Sequence, residues 1–290
     1  MNWGIALKLG RVSNLPTVWT NTIAGIVLAG GAVTDFRIVL VIIALSLSYI
    51  GGMFLNDAYD AEIDAVERPE RPIPSGQVSQ KNVFRWAFAM LVASIILLLG
   101  VGTMFPGGTG IWPALSGVCL AATIVVYNRN HKNNPISPFI MGLCRVFVYL
   151  TAASCFVVPL AIPVFIGAGL LLAYLIGLTY IAKQENLGKV ENLWPLLFLG
   201  APIVYGGFLS LSHIMVAPLW LLFTGWVLVA LYFLKRRGPG DIPRAVVSLI
   251  AGMCLLDAIL IASAGEMQLA FVAVLGFALT LFFQRFISGT

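Results

Sequence analysis

The chain has 290 residues, of which 60% are hydrophobic and only 10% charged, with a formal net charge of +5. A mean hydropathy of +0.97 excludes a soluble domain of this size, which could not hide so much apolar surface, and leaves a polytopic membrane protein. The positive balance is no nucleic-acid signal, because the basic residues sit in the loops between apolar runs.

In chain order, apolar runs are predicted at about 15–34, 37–57, 83–104, 111–128, 136–157, 160–182, 193–211, 216–234, 244–264 and 268–287. Each approaches the ~20 residues that cross a bilayer as a helix. The ninth contains a charge, so the expected count is nine or ten. β-barrel alternation is absent, and the expected architecture is an all-α, polytopic transmembrane bundle forming one domain over residues 1–290. Lys8, Arg11, Arg68, Arg71, Lys81, Arg85, Arg129, Lys132, Lys183, Lys189, Lys235, Arg236, Arg237, Arg244 and Arg285 all fall on one side of such a bundle. The opposite loops carry only Arg37, and Arg145 lies within a span. The positive-inside rule then predicts a cytoplasmic N-terminus, with the polar loops at about 58–82, 183–192 and 235–243 on the same side. No cleavable signal peptide is expected. Cys119, Cys144, Cys155 and Cys254 lie in apolar segments without metal-ligand spacing and read as buried thiols.

The second run ends in Asn56-Asp57-Ala58-Tyr59-Asp60-Ala61-Glu62-Ile63-Asp64. At 100° per residue Asn56, Asp60 and Asp64 fall within about 80° of one another, with Asp57 close beside them. Like charges crowded on one helical face are costly unless a cation sits among them, and hard oxygens suit Mg²⁺. The spacing points to a metal-held diphosphate. Three prolines, Pro69, Pro72 and Pro74, then end the helix and stiffen a loop that presents Arg68 and Arg71 beside the acids. Guanidinium forks match phosphate oxygens in pairs, although anchoring at anionic headgroups would also explain these arginines.

Asn56-Asp57-x-x-Asp60-x-x-x-Asp64, then Arg68 and Arg71-Pro72-Ile73-Pro74-Ser75-Gly76, resembles the first aspartate-rich motif of the UbiA superfamily of intramembrane prenyltransferases. The proline-arginine tail is most similar to its chlorophyll synthase and archaeal ether-lipid branches, and Arg11-Val12-Ser13-Asn14-Leu15-Pro16 also has the family's look. The resemblance covers nearly the whole chain. It implies a helical bundle around a central lipid-facing cavity, capped by cytoplasmic loops, and Mg²⁺-dependent transfer of an isoprenoid from a polyprenyl diphosphate to a hydrophobic acceptor. By that likeness Asn56, Asp57, Asp60 and Asp64 hold the metal and the diphosphate. Arg68 and Lys132 are the implied phosphate cations, and Arg11, Asn14, Arg71, Lys183 and Lys189 are further substrate-binding residues.

The second half departs from the family. Where another acid-rich motif is expected, the chain reads Lys183-Gln184-Glu185-Asn186-Leu187-Gly188-Lys189-Val190-Glu191. Glu185 is the implied second metal ligand there, and an ion pair with Lys183 or Lys189 is its plainer role. Arg145, about two turns into the fifth span, is costly in a membrane unless it faces the bundle interior. It reads as a cavity residue contacting diphosphate or acceptor, with snorkelling to the inner surface as the alternative. Asp257 either pairs with Arg145, lines an acceptor pocket or bonds a neighbouring helix. Gly142-Leu143-Cys144-Arg145, Tyr180 to Glu185 and Leu256-Asp257-Ala258 together resemble the UbiA-like subgroup encoded in Ebo gene clusters.

His131, in the basic loop Asn128 to Lys132, could touch phosphate, but it and His213, in an outer turn, read better as surface histidines. Tyr59, Tyr127, Tyr149, Tyr174 and Tyr180 are candidate cavity walls, and Trp86, Trp112, Trp194 and Trp220 are candidate interface anchors. No nucleotide loop, Ser/His/Asp set or His/Cys metal set is present. The expected activity is Mg²⁺-dependent prenyl transfer in the membrane. A terpene cyclase or other prenyl-diphosphate-processing enzyme is one alternative, and a small-molecule transporter is another.

Overall fold

The computed structural model describes residues 2–132, 134–184, 194–287 and 289. Among them are twelve α-helices: α1 Trp3–Leu9, α2 Leu15–Leu28, α3 Arg37–Tyr59, α4 Ala61–Glu67, α5 Gln80–Thr103, α6 Trp112–Asn130, α7 Ser137–Ser154, α8 Ile162–Gln184, α9 Gly200–Ser212, α10 Ala217–Arg236, α11 Asp241–Ser263 and α12 Met267–Phe283. Each of the ten expected apolar runs is helical. Seven segments are long and apolar enough to cross a membrane by length and composition, and the chain is an integral membrane protein. Prolines in the first turns of α2, α6, α7 and α10 suit positions where the missing N–H costs nothing.

Local chemistry moves some boundaries. The first span stops at Leu28, because Gly30 takes a left-handed φ of +75° and Gly31 donates back to Ile26 at 3.0 Å, closing the helix. The short helix α1 was not expected; its seven residues are too few for a periodic signal. The acid run is split rather than continuous: Asp60 is both the last cap of α3 and the first cap of α4.

Two apolar clusters fill the bundle. One joins α3, α5 and α6 with parts of α2 and α7, and the other joins α8 to α12 with the remaining faces of α2 and α7. The helices α2 and α7 are thus a seam between two half-bundles. In a bilayer, burial of apolar surface gives little drive for helix association, so close van der Waals approach and polar contacts must supply it. The seam has both. A Cβ on Gly25 would stand 2.7 Å from the carbonyl oxygen of Tyr149, so only glycine allows α2 this close to α7. Ser48 meets Ser94 at 2.8 Å, and Ser116 meets Thr151 at 2.8 Å. The helix α11 is almost wholly buried and runs through the second half-bundle as its axis.

Arg37, the basic residue set apart from the other loop charges, is neutralised where it stands. Its Nη2 lies 2.6 Å from Asp35 and its guanidinium carbon 4.9 Å from the ring of Phe156. The hydrogen bond from Arg37 holds the Asp35 carboxyl below its usual range. The exposed faces carry Trp86, Trp112 and Trp194 as expected, whereas Trp220 turns inward and donates to the Ile203 carbonyl at 2.8 Å.

Candidate active site

A cavity of about 960 Å³ opens where α3 passes into α4 and runs inward along the seam. Its inner walls are apolar, from Val18, Leu45, Leu120, Ile124, Val148, Leu175 and Met253. Its mouth gathers charge from segments far apart in sequence. Arg11, Asn14, Asn56, Asp60, Asp64, Arg68, Arg71, Lys132 and Lys183 all line it, and Arg145 lines it deeper in. Glu185 and Lys189 lie outside the described residues.

Asn56, Asp60 and Asp64 share the cavity face because backbone bonds carry the helical register across the break. Asp60 donates its N–H to the Asn56 carbonyl at 3.0 Å, Asp64 to Asp60 at 2.8 Å, and Arg68 to Asp64 at 2.8 Å. The Asn56 amide is oriented by its donation to Asn128 Oδ1 at 3.2 Å, and Asn128 donates to the Gly52 and Ile124 carbonyls. That leaves the Asn56 oxygen to accept from Arg11 at 3.3 Å. Asp57, one residue and 100° further round, is buried beside the cavity and does not line it.

Asp57, Asp60 and Asp64 each touch a base. Arg71 Nη1 reaches Asp64 at 2.7 Å and Asp57 at 3.5 Å, while Arg11 reaches Asp57 at 3.3 Å. Asp60 stands 3.4 Å from His131 Nε2 and 3.8 Å from Lys132 Nζ. Arg11 makes its contacts from a left-handed backbone, φ +41°, which is costly for a side chain of its size. Lys183 is turned to backbone, donating to the Asn134 carbonyl and to Ser137 Oγ, each at 2.8 Å. Asn14 donates to the Gly289 carbonyl and accepts from Gln284, both at 2.9 Å.

Among the described residues no three His, Cys, Asp or Glu side chains already stand as a metal cage. The donor set nevertheless fits a hard divalent ion. Two carboxylates, Asp57 and Asp64, converge on a single guanidinium nitrogen, so they are close enough to share a cation. The amide oxygen of Asn56 and the carboxylate of Asp60 line the same mouth.

Sequence reasoning missed several contributors. His131 is a cavity residue, stacked on Tyr127 with ring centroids 5.1 Å apart, and not a surface histidine. Tyr127 lines the cavity as expected and Tyr49 does so unforeseen, whereas Tyr149 and Tyr174 are wholly buried in packing and Tyr59 packs on Phe84. Thr17 and Asn21, polar residues four apart in the first span, escaped notice because they are uncharged. Asn21 donates to Asp257 at 2.8 Å and, like Thr17, accepts from Arg145. Asp257 therefore meets Arg145 only through Asn21. His213 is exposed, as expected; the four cysteines are free, but only Cys155 and Cys254 are the buried thiols expected, Cys144 being half-buried and Cys119 exposed on an outward face of α6.

A family model described as the UbiA prenyltransferase family matches residues 18–187. A protein of Methanopyrus kandleri named digeranylgeranylglyceryl phosphate synthase is 28% identical over 208 residues, covering 69% of each chain. One of the same name from Ignicoccus hospitalis is 34% identical over 116 residues, covering 39% of this chain. The chain spans only 36% of the length of that Ignicoccus relative, and 34% of a Methanothrix thermoacetophila relative of the same name. Among solved structures, one described as digeranylgeranylglyceryl phosphate synthase in membranes overlays 91% of this chain and 98% of its own, with a TM-score of 0.63 and 20% identity. A UbiA homologue from Archaeoglobus fulgidus bound to GPP and Mg²⁺ overlays 91% of this chain and 99% of its own, with a TM-score of 0.59 and 14% identity. At such identities the likeness is one of fold.

Proposed function

The chain belongs to the UbiA prenyltransferase family, and from that premise we propose that it transfers a prenyl group from a polyprenyl diphosphate to a lipid-like or aromatic acceptor within the membrane. The observation that carries this reading is the convergence of Arg11, Asn56, Asp60, Asp64, Arg71 and Lys132 on one end of a cavity whose remaining walls are apolar. Charge at the mouth and hydrocarbon behind it match a molecule with a diphosphate head and an isoprenoid tail. The relatives named digeranylgeranylglyceryl phosphate synthase and the neighbour holding GPP and Mg²⁺ support the same assignment.

Asn56, Asp57, Asp60 and Asp64 would hold Mg²⁺, which when bound withdraws charge from the diphosphate. Arg11, Arg68, Arg71 and Lys132 bind the diphosphate oxygens, Arg11 and Arg71 exchanging carboxylate partners for phosphate. The apolar wall lays the chain inward and keeps water from the reacting carbon. The bond between that carbon and the diphosphate oxygen breaks, its electron pair leaving with the diphosphate. The acceptor's nucleophile bonds to the carbon and gives up its proton. Tyr127 and Tyr49 offer ring faces to the allylic cation. In this reading residues 1–290 act as one domain, and the distribution of loop charges favours a mouth on the cytoplasmic side.

The test is product analysis with purified protein, Mg²⁺, geranylgeranyl diphosphate and a panel of acceptors. A prenylated acceptor, lost with Asp60→Ala, is expected. A cyclised hydrocarbon would make it a cyclase, and absence of diphosphate release would count against any enzyme of this kind.

A further inference from the structure

The acid stripe of α3 is backed by a residue that neither charge nor spacing singles out. Asn128, near the end of α6, is 4% exposed and uses both ends of its amide. Its Nδ2 donates to the Gly52 carbonyl at 3.1 Å and to the Ile124 carbonyl at 3.0 Å, while its Oδ1 accepts from Asn56 Nδ2 at 3.2 Å. Gly52 lets α6 come this near to α3: a Cβ there would stand 3.1 Å from Ile124 Cγ2.

The two ends of an amide are nearly alike in shape, and the neighbours decide which one faces a ligand. Backbone carbonyls only accept, so the end of Asn128 lying against Gly52 and Ile124 must be its nitrogen. Its oxygen then faces α3 and requires a donor, and the side chain it meets there is Asn56. Asn56 must therefore present nitrogen to Asn128 and oxygen to the mouth. That oxygen already faces a cation, accepting from Arg11 Nη2 at 3.3 Å. Turned over, Asn56 would set oxygen against oxygen at Asn128 and aim N–H groups where a divalent ion needs a lone pair. Asn128 has a second tie to the acids through its backbone: His131 Nδ1 stands 3.1 Å from its carbonyl oxygen, and Nε2 lies 3.4 Å from Asp60. That tie does not involve the Asn128 side chain, so side-chain variants report on the Asn56 contact.

We propose that Asn128 is a positioning residue for metal binding. Two backbone carbonyls fix its amide, and its amide in turn fixes Asn56 with the oxygen toward the ion. The inference rests on the prenyl-transfer reading for the presence of a divalent ion at the mouth.

The experiment measures binding of Mn²⁺, a paramagnetic substitute for Mg²⁺, to the full chain in non-ionic detergent with equimolar geranylgeranyl thiodiphosphate. Loss of the free-ion EPR signal gives the Kd, after subtraction of binding to the thiodiphosphate alone. Asn128→Ala should raise that Kd about ten- to a hundredfold, the usual effect of removing a residue that orients a ligand. In an Asn56→Asp background the sign should reverse. A carboxylate offers oxygen at either end, so Asn128→Ala then removes only an oxygen opposed to it, and binding tightens. A merely structural role would loosen binding in both backgrounds. Should Asn128→Ala not fold, Asn128→Ser replaces it: its hydroxyl bonds back to the Ile124 carbonyl without reaching Asn56, and the same reversal is expected. A Kd unmoved by these variants, or raised in both backgrounds, would overturn the proposal. The expected pattern in a protein that neither releases diphosphate nor prenylates an acceptor would sink the prenyl-transfer reading and leave the role of Asn128 standing. Absence of Mn²⁺ binding by the wild-type protein would overturn both.

Discussion

At the mouth of the cavity Asp57 and Asp64 share the guanidinium of Arg71, whereas at its floor Arg145 and Asp257 never touch and Asn21 stands between them. The mouth pairs are direct and exchangeable, with buried carboxylates and part-exposed bases: a divalent ion can replace a guanidinium on the acids while phosphate replaces the acids on the guanidinium. The floor is buried, satisfied by neutral donors and acceptors, and has nothing to exchange. One end is built to be rearranged by its ligand and the other to stay as it is. For ion pairs with buried carboxylates the Coulomb gain is largely offset by desolvation, so exchanging both partners at once for a metal ion and a phosphate costs the fold little. A buried chain of polar groups is different, because each lost partner strands another.

The contrast can be broken in several ways. The largest effect is expected from chelation: EDTA should abolish transfer and Mg²⁺ restore it, while the Tm of unliganded protein hardly moves. A steep fall in Tm would make the metal structural and the two ends alike. Asp60→Ala and Asp64→Ala should each cut kcat/KM by about a hundredfold or more, with Tm held or raised as like charges are removed. Asp257→Ala should do the converse. It strands the Tyr149 hydroxyl and the Asn21 amide and should cost about 2 kcal/mol or more of stability, read from unfolding in detergent, while the KM for the diphosphate stays put. Arg71→Lys keeps the charge but loses the fork that spans two carboxylates, and should raise the donor KM roughly tenfold. No change in KM would leave Arg71 as a loop anchor.

Much of this was readable from the chain because charge inside apolar sequence is conspicuous. That the ten apolar runs would be helical followed from run length, and the acids, Arg68, Arg71 and Arg145 stood out against their surroundings. What escaped depends on tertiary neighbours. His131 is set beside Asp60 only because the end of α6 comes back to the end of α3, some 70 residues away in sequence. Tyr49 and Asn21 look like packing residues until Arg145, on a different helix, is seen to lean on one and bond the other. The break at Asp60 was hidden for a subtler reason: four-residue spacing persists across it, so periodicity gives no sign that the helix turns.

That unbroken spacing acts as a molecular ruler. Because backbone bonds step from Asn56 to Asp60 to Asp64 to Arg68, removing a single residue anywhere in the stretch would swing everything downstream by about 100°. A descendant gene with a one-codon gain or loss between those positions would encode a bundle that still inserts and packs, but whose anchoring groups no longer face one another.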